Sequence, residues 1–99
     1  MTIELLYFDG GPGYEALLPR VRALAGARAD VELRAVESAE QAEAERFLGS
    51  PTVRVDGRDV HPGAAGRTDF GLKCRLYPGA GGQTHAPPDE WIVRALSAE

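Results

Sequence analysis

The chain has 99 residues, a formal net charge of −4 and 43% hydrophobic residues. That length and balance predict one globular domain, residues 1–99, with a modest core. No apolar run approaches the length of a membrane span, the acidic balance argues against a nucleic-acid partner, and a single cysteine excludes an intramolecular disulfide. The opening Met1-Thr2-Ile3-Glu4 lacks the basic and apolar regions of a signal peptide, so the expectation is a cytoplasmic domain.

Ile3 to Phe8 is a nearly continuous apolar run that ends at Asp9-Gly10-Gly11-Pro12-Gly13. Such a run followed by glycines predicts a buried central strand and a tight loop. Leu17, Leu18, Val21, Leu24 and Ala25 recur at helical spacing, with Pro12 near the helix start, Pro19 inside it as a kink, and Gly26 as its stop. Val31 to Val36 alternates, which predicts a half-buried strand with Val31, Leu33 and Ala35 inward. Ser38 and Gln41 form a capping box for a helix that runs to about Leu48 and stops at Gly49. Its Glu40, Glu43 and Glu45 read as a solvated acidic face. Val53-Arg54-Val55, Asp56-Gly57 and Arg58-Asp59-Val60 predict a hairpin. Pro87 to Ala98 predicts a last helix that buries Trp91, Ile92, Ala95 and Leu96. The order β-α-β-α-β-β-α implies a parallel pair, a closing antiparallel hairpin and a mixed four-stranded sheet with helices on both faces. Residues 61–86 form an inserted segment before the last helix.

This order, together with Gly49-Ser50-Pro51-Thr52-Val53, resembles the thioredoxin fold. In that family a Gly-x-Pro-Thr stretch with a cis proline enters the third strand, beside the redox motif at the start of the first helix. Pro19 falls eight residues after Gly11, where the family's helix kink falls relative to its first cysteine. More narrowly, the chain resembles short bacterial thioredoxin-like proteins whose first loop reads Phe-Asp-Gly-Cys-Pro and which share a segment like Arg67 to Tyr77. The resemblance covers residues 1–60 and the last helix. It implies a thiol–disulfide oxidoreductase lineage, with Gly10, Pro12, Gly13, Tyr14, Ser50, Pro51 and Thr52 as substrate-contacting positions. It also implies a Ser50 backbone turned outward to pair with a peptide or thiol adduct. The resemblance also implies a proton-acceptor role for Asp9 near position 11, the role buried acids serve in this fold; its other reading is a helix cap.

The departure lies at the centre of the motif. Gly11 stands where the group has its cysteine, and Tyr14 stands where a second would be. Dithiol exchange needs a thiolate at the helix start, where the dipole lowers its pKa, and neither residue supplies one. Without the resemblance, Gly10 to Gly13 reads as an ordinary strand-to-helix turn. It lacks the Gly-Lys-Ser/Thr ending of a phosphate loop.

Cys74 is the one remaining thiol. Strand alternation places Leu72, Cys74 and Leu76 on one face and Lys73, Arg75 and Tyr77 on the other. Two readings stay open. Cys74 is a small buried hydrophobe, or it is a thiolate supported by Lys73, Arg75 and Arg67. If the inserted segment folds back over the first loop, Cys74 faces position 11 as a resolving thiol. His61 and His85 flank the segment, but three ligands with Cys74 at irregular spacing match no metal pattern, so no metal site and no cofactor is expected. Tyr14, Tyr77 and Trp91 read either as packing or as the lining of a cleft.

Three functions follow. The first is a thiol–disulfide protein with a thiol or disulfide substrate, impaired in its Gly11 form and dependent on Cys74. The second is a non-catalytic module that binds a peptide or protein partner in the cis-proline groove. The third is metal or mercury capture by Cys74, whose thiolate is soft.

Overall fold

The computed structural model describes residues 1–11, 13–79 and 81–97. Strand β1 (Thr2–Tyr7) carries apolar side chains on both faces and so belongs at the centre of a sheet. Ile3 and Leu5 enter one core while Leu6 enters another. β1 pairs in parallel with β2 (Asp30–Ala35), Thr2 to Tyr7 against Asp30 to Ala35. On its other edge it pairs antiparallel with β3 (Thr52–Val55), Leu5 opposite Val53. β3 turns at Asp56 (φ 49°) and Gly57 (φ 82°) into β4 (Arg58–Asp59). Two positive φ angles are what a two-residue turn of matching twist requires. The mixed four-stranded sheet has the order β2-β1-β3-β4.

Helix α1 (Tyr14–Ala25) connects the parallel pair and buries Leu17, Val21 and Ala25. Helix α3 (Asp89–Leu96) buries Ile92 and Leu96 in the same core, with Trp91 and Ala95 partly covered. Helix α2 (Ala39–Ala44) lies on the opposite face, where Ala42 meets Leu6, Val36 and Phe47. Helices therefore cover both faces of the sheet. Among the described residues no helix is long and apolar enough to cross a membrane.

Four details depart from the sequence expectations. Strands β1 and β2 each begin one residue earlier than the hydrophobic pattern indicates. α2 ends at Ala44 rather than Leu48 because Arg46 turns to φ 56°, and the buried Arg54 guanidinium takes the released carbonyls of Glu45 and Arg46. Its start is as read: Ser38 Oγ accepts from the Gln41 amide at 3.0 Å, although the Gln41 side chain reaches back to Glu37 rather than Ser38. Leu33 is 43% exposed, because β2 is the outermost strand. Of the three acids on α2's expected solvated face, Glu40 and Glu43 are exposed, whereas Glu45 pairs with Arg34 at 2.7 Å.

The inserted segment is tied to the chain before β3 by backbone hydrogen bonds to Phe47 and Ser50. It makes a 3-10 turn (Ala64–Gly66), passes Cys74, and closes in a hairpin of β5 (Tyr77–Gly79) and β6 (Gly82–Thr84).

Candidate functional site

Three pieces of chain meet at the end of β1: the loop after it, the turn into β3, and residues 73–77 of the inserted segment. In the first, the Gly11 N–H donates to the Phe8 carbonyl at 2.9 Å, and Gly10 and Gly13 adopt φ 90° and 88°. These angles suit glycine and cost other residues strain. Gly13 is the N-cap of α1 and offers no side-chain cap; Asp9 is exposed and caps nothing. Asp9 is therefore neither the buried acid nor the cap that the sequence suggested. Tyr14 begins the helix and stacks on Tyr7, with ring centroids 4.0 Å apart. Desolvation, then neighbouring Glu15, raises the Tyr14 phenol above its ordinary pKa. Pro12 lies outside the described residues.

In the second piece, the Ser50–Pro51 peptide bond is cis, as the resemblance implied. Thr52 Oγ1 donates to the Gly49 carbonyl at 2.6 Å. Ser50 is fully buried, and its Oγ has no hydrogen-bond partner among the described residues. A Cβ placed on Gly11 would stand 2.8 Å from that Oγ and 2.9 Å from Ser50 Cβ. Thus position 11 is not an empty socket left by a missing side chain. The Ser50 hydroxymethyl group already fills it.

In the third piece, the Ser50 N–H donates to the Lys73 carbonyl at 2.8 Å, and the Arg75 N–H donates to the Ser50 carbonyl at 2.9 Å. Ser50 and Cys74 are thereby partners in a parallel bridge. Gly49, at φ 125°, permits this approach: a Cβ there would stand 2.9 Å from the Lys73 carbonyl oxygen. The backbone that was expected to await a peptide is thus paired with the chain's own inserted segment. Residues 73–75 lie against Ser50 of the turn into β3, and Ser50 also borders Gly11.

The alternation across 72–77 is inverted relative to the buried reading of Cys74. Leu72 and Leu76 are 40% and 49% exposed and Cys74 is exposed, whereas Arg75 and Tyr77 are 3% and 1% exposed. Arg75 holds Asp59 with both terminal nitrogens, at 2.6 and 3.1 Å, and Nη1 also donates to Thr52 Oγ1 at 3.0 Å. Its guanidinium lies 4.9 Å from the centre of the Tyr77 ring. The Tyr77 hydroxyl donates to the Pro51 carbonyl at 2.6 Å, and burial pushes its pKa well above the ordinary phenol value. Arg75, Asp59 and Tyr77 together brace the Ser50–Thr52 turn. Sequence reasoning missed this brace, because a buried guanidinium is recognised by its carboxylate and Asp59 lies 16 residues away.

The basic neighbours proposed for the thiol are also committed elsewhere. Arg67 grips Asp69 at 2.7 and 3.0 Å, and Lys73 Nζ donates to the same carboxylate at 2.7 Å. Those two cations hold the Asp69 carboxyl far below the usual range, Arg67 contributing most.

No family model, curated protein or solved structure matches this chain. Among the described residues, no group of three or more His, Cys, Asp and Glu side chains is placed to hold a metal ion. His61 packs edge-on to Trp91 with ring centroids 4.8 Å apart and accepts the Gly63 amide on Nδ1 at 2.8 Å. The His85 Cβ stands 2.7 Å from where a Cβ on Gly13 would be, so Gly13 is needed for clearance as well as for its φ. Tyr77 and Trp91 pack edge to face at 6.2 Å, with Tyr77 buried as packing rather than as the wall of a cleft.

Proposed function

We propose that this chain is a thioredoxin-like domain of thiol–disulfide lineage that acts through one thiol, Cys74. The observation that carries this reading is the pairing of Ser50 with Cys74 through the backbone of Lys73 and Arg75. An exposed thiol held on a fixed backbone beside the turn into β3 supports exchange with a disulfide brought from outside. The Cys74 thiolate, having lost its proton to solvent, attacks one sulfur of a disulfide of a small thiol. A new bond joins Sγ to that sulfur, and the other sulfur leaves as a thiolate. A second thiolate reverses the step and restores Cys74. With Gly11 and Tyr14 in the two motif positions, no second thiol in the chain closes an internal disulfide. The exchange is therefore monothiol in type.

The peptide-groove reading has less support, since both backbone groups of Ser50 are already engaged by residues 73 and 75. A peptide would have to displace the chain's own segment.

Intact mass after incubation of the folded protein with oxidised glutathione tests the proposal, alongside iodoacetamide labelling across pH. One adduct per chain, formed without denaturant and reversed by reduced glutathione, is the expected result. Labelling only after denaturation, or no reversible adduct on the folded protein, would overturn it.

A further inference from the structure

A concavity that Cys74 does not line lies between the end of α2, the β3–β4 hairpin and the start of the inserted segment. It has a volume of about 520 Å³ and is lined by Arg46, Arg54, Arg58 and Arg67, with Glu45 and Asp59 as its acids. Four of the ten arginines of a net acidic chain thus face one cleft.

The charges there do not balance. Asp59 is taken by Arg75, which lies behind the cleft. Glu45 is bound by Arg34, which also holds Glu4, so these two acids offset Arg34 and Arg54. Asp69 alone serves both Arg67 and Lys73. Arg46 and Arg58 have no carboxylate partner among the described residues; Arg46 lies over the Phe70 ring at 5.2 Å. Two positive charges of the lining therefore remain in excess, Arg46 and Arg58.

Arg54 sharpens the case. Its side chain is only 11% exposed, its nearest carboxylate oxygen is 3.9 Å away on Glu45, and its other contacts are main-chain carbonyls. Buried cations normally have a close counter-charge. Desolvation lowers its pKa, against the opposing pull of Asp59, Glu4 and Glu45. His61 also borders the cleft; with Nδ1 accepting from Gly63, its Nε2 carries the proton of the neutral ring as a further donor.

We propose that this cleft binds a small molecule carrying a dianionic phosphate group. Guanidinium forks match phosphate oxygens in pairs, and an excess of two charges favours a dianion over a monoanion. The cleft is far larger than a bare phosphate ion needs, and Leu48, Val60, Pro62 and Phe70 give it apolar walls for an organic body. This proposal is independent of the chemistry of Cys74.

Isothermal titration at low ionic strength with inorganic phosphate and with adenosine monophosphate separates the free ion from an ester. Saturable one-to-one binding of the ester, tighter than that of inorganic phosphate, is expected. Arg46→Gln with Arg58→Gln should weaken it at least about tenfold, since each lost charged hydrogen bond is worth a kcal/mol or more. Arg22→Gln, on the exposed face of α1, should leave it unchanged. Amide shifts of the unsubstituted protein give an independent reading: residues 45–48 and 57–70 should move on titration. No saturation by about 10 mM ester, shifts confined to other surfaces, or equal affinity for succinate would each overturn the proposal.

Discussion

Gly11 and Ser50 share a single space: a Cβ on Gly11 would lie 2.8 Å from Ser50 Oγ. Neither residue alone explains the loop, because each is sized to the other. A cysteine in the Gly11 position would need Ser50 to yield, and Ser50 is held by two backbone hydrogen bonds to residues 73 and 75.

Gly11→Ala is therefore expected to destabilise the fold by about 1–3 kcal/mol through overpacking. Ser50→Gly in the same chain should recover most of that loss, giving a double-mutant cycle with a favourable coupling. Urea midpoints measure it. Additive effects would mean that the loop relaxes without involving Ser50.

Ser50→Ala should be nearly neutral, within about 0.5 kcal/mol, or slightly stabilising. Removing a buried hydroxyl usually costs more, but here Ser50 Oγ has no hydrogen-bond partner among the described residues. A loss above about 1.5 kcal/mol would reveal a partner such as an ordered water.

Arg75→Met should cost about 3–5 kcal/mol, because it leaves Asp59 partly buried without its counter-charge. The combination with Asp59→Leu should cost less than the sum of the two single changes. Tyr77→Phe removes only the hydrogen bond to the Pro51 carbonyl and should cost about 1–2 kcal/mol. Denaturant melts rank the three.

His61 titrates below its ordinary value of 6.5, chiefly because of desolvation and secondarily because of Arg75. The unfolded chain then binds more protons than the folded one between the two values. Stability is full above the unfolded pKa and falls as pH drops through about 6.5 towards the folded value. His61→Gln should flatten this part of the stability profile, and NMR titration of the ring should give a midpoint below 6.5. A midpoint above 6.5 would contradict the burial argument.

Cys74→Ser should change stability by less than about 0.5 kcal/mol, since the side chain is exposed and the bridge to Ser50 uses the backbone of its neighbours. The same variant should abolish the glutathione adduct. A large loss of stability would assign Cys74 a packing role instead.

Much of the architecture is legible in local chemistry. The nearly continuous apolar run Ile3–Phe8 fits a central strand, Ser38 caps the helix that follows it, and Asp56-Gly57 takes the positive φ angles of its turn. Each of these depends on residues within a few positions of one another. The candidate site is different. Residues 72–77 alternate apolar and polar, and the apolar set would ordinarily face inward; Arg75 and Tyr77 go in instead because Asp59, Thr52 and Pro51 supply their partners. The end of α2 depends likewise on Arg54, eight and nine residues beyond the carbonyls it takes. Burial of a polar group is decided by whether a partner waits for it across the fold. Such partners are chosen by chain pairing, as with Ser50 and Cys74, and not by spacing along the sequence.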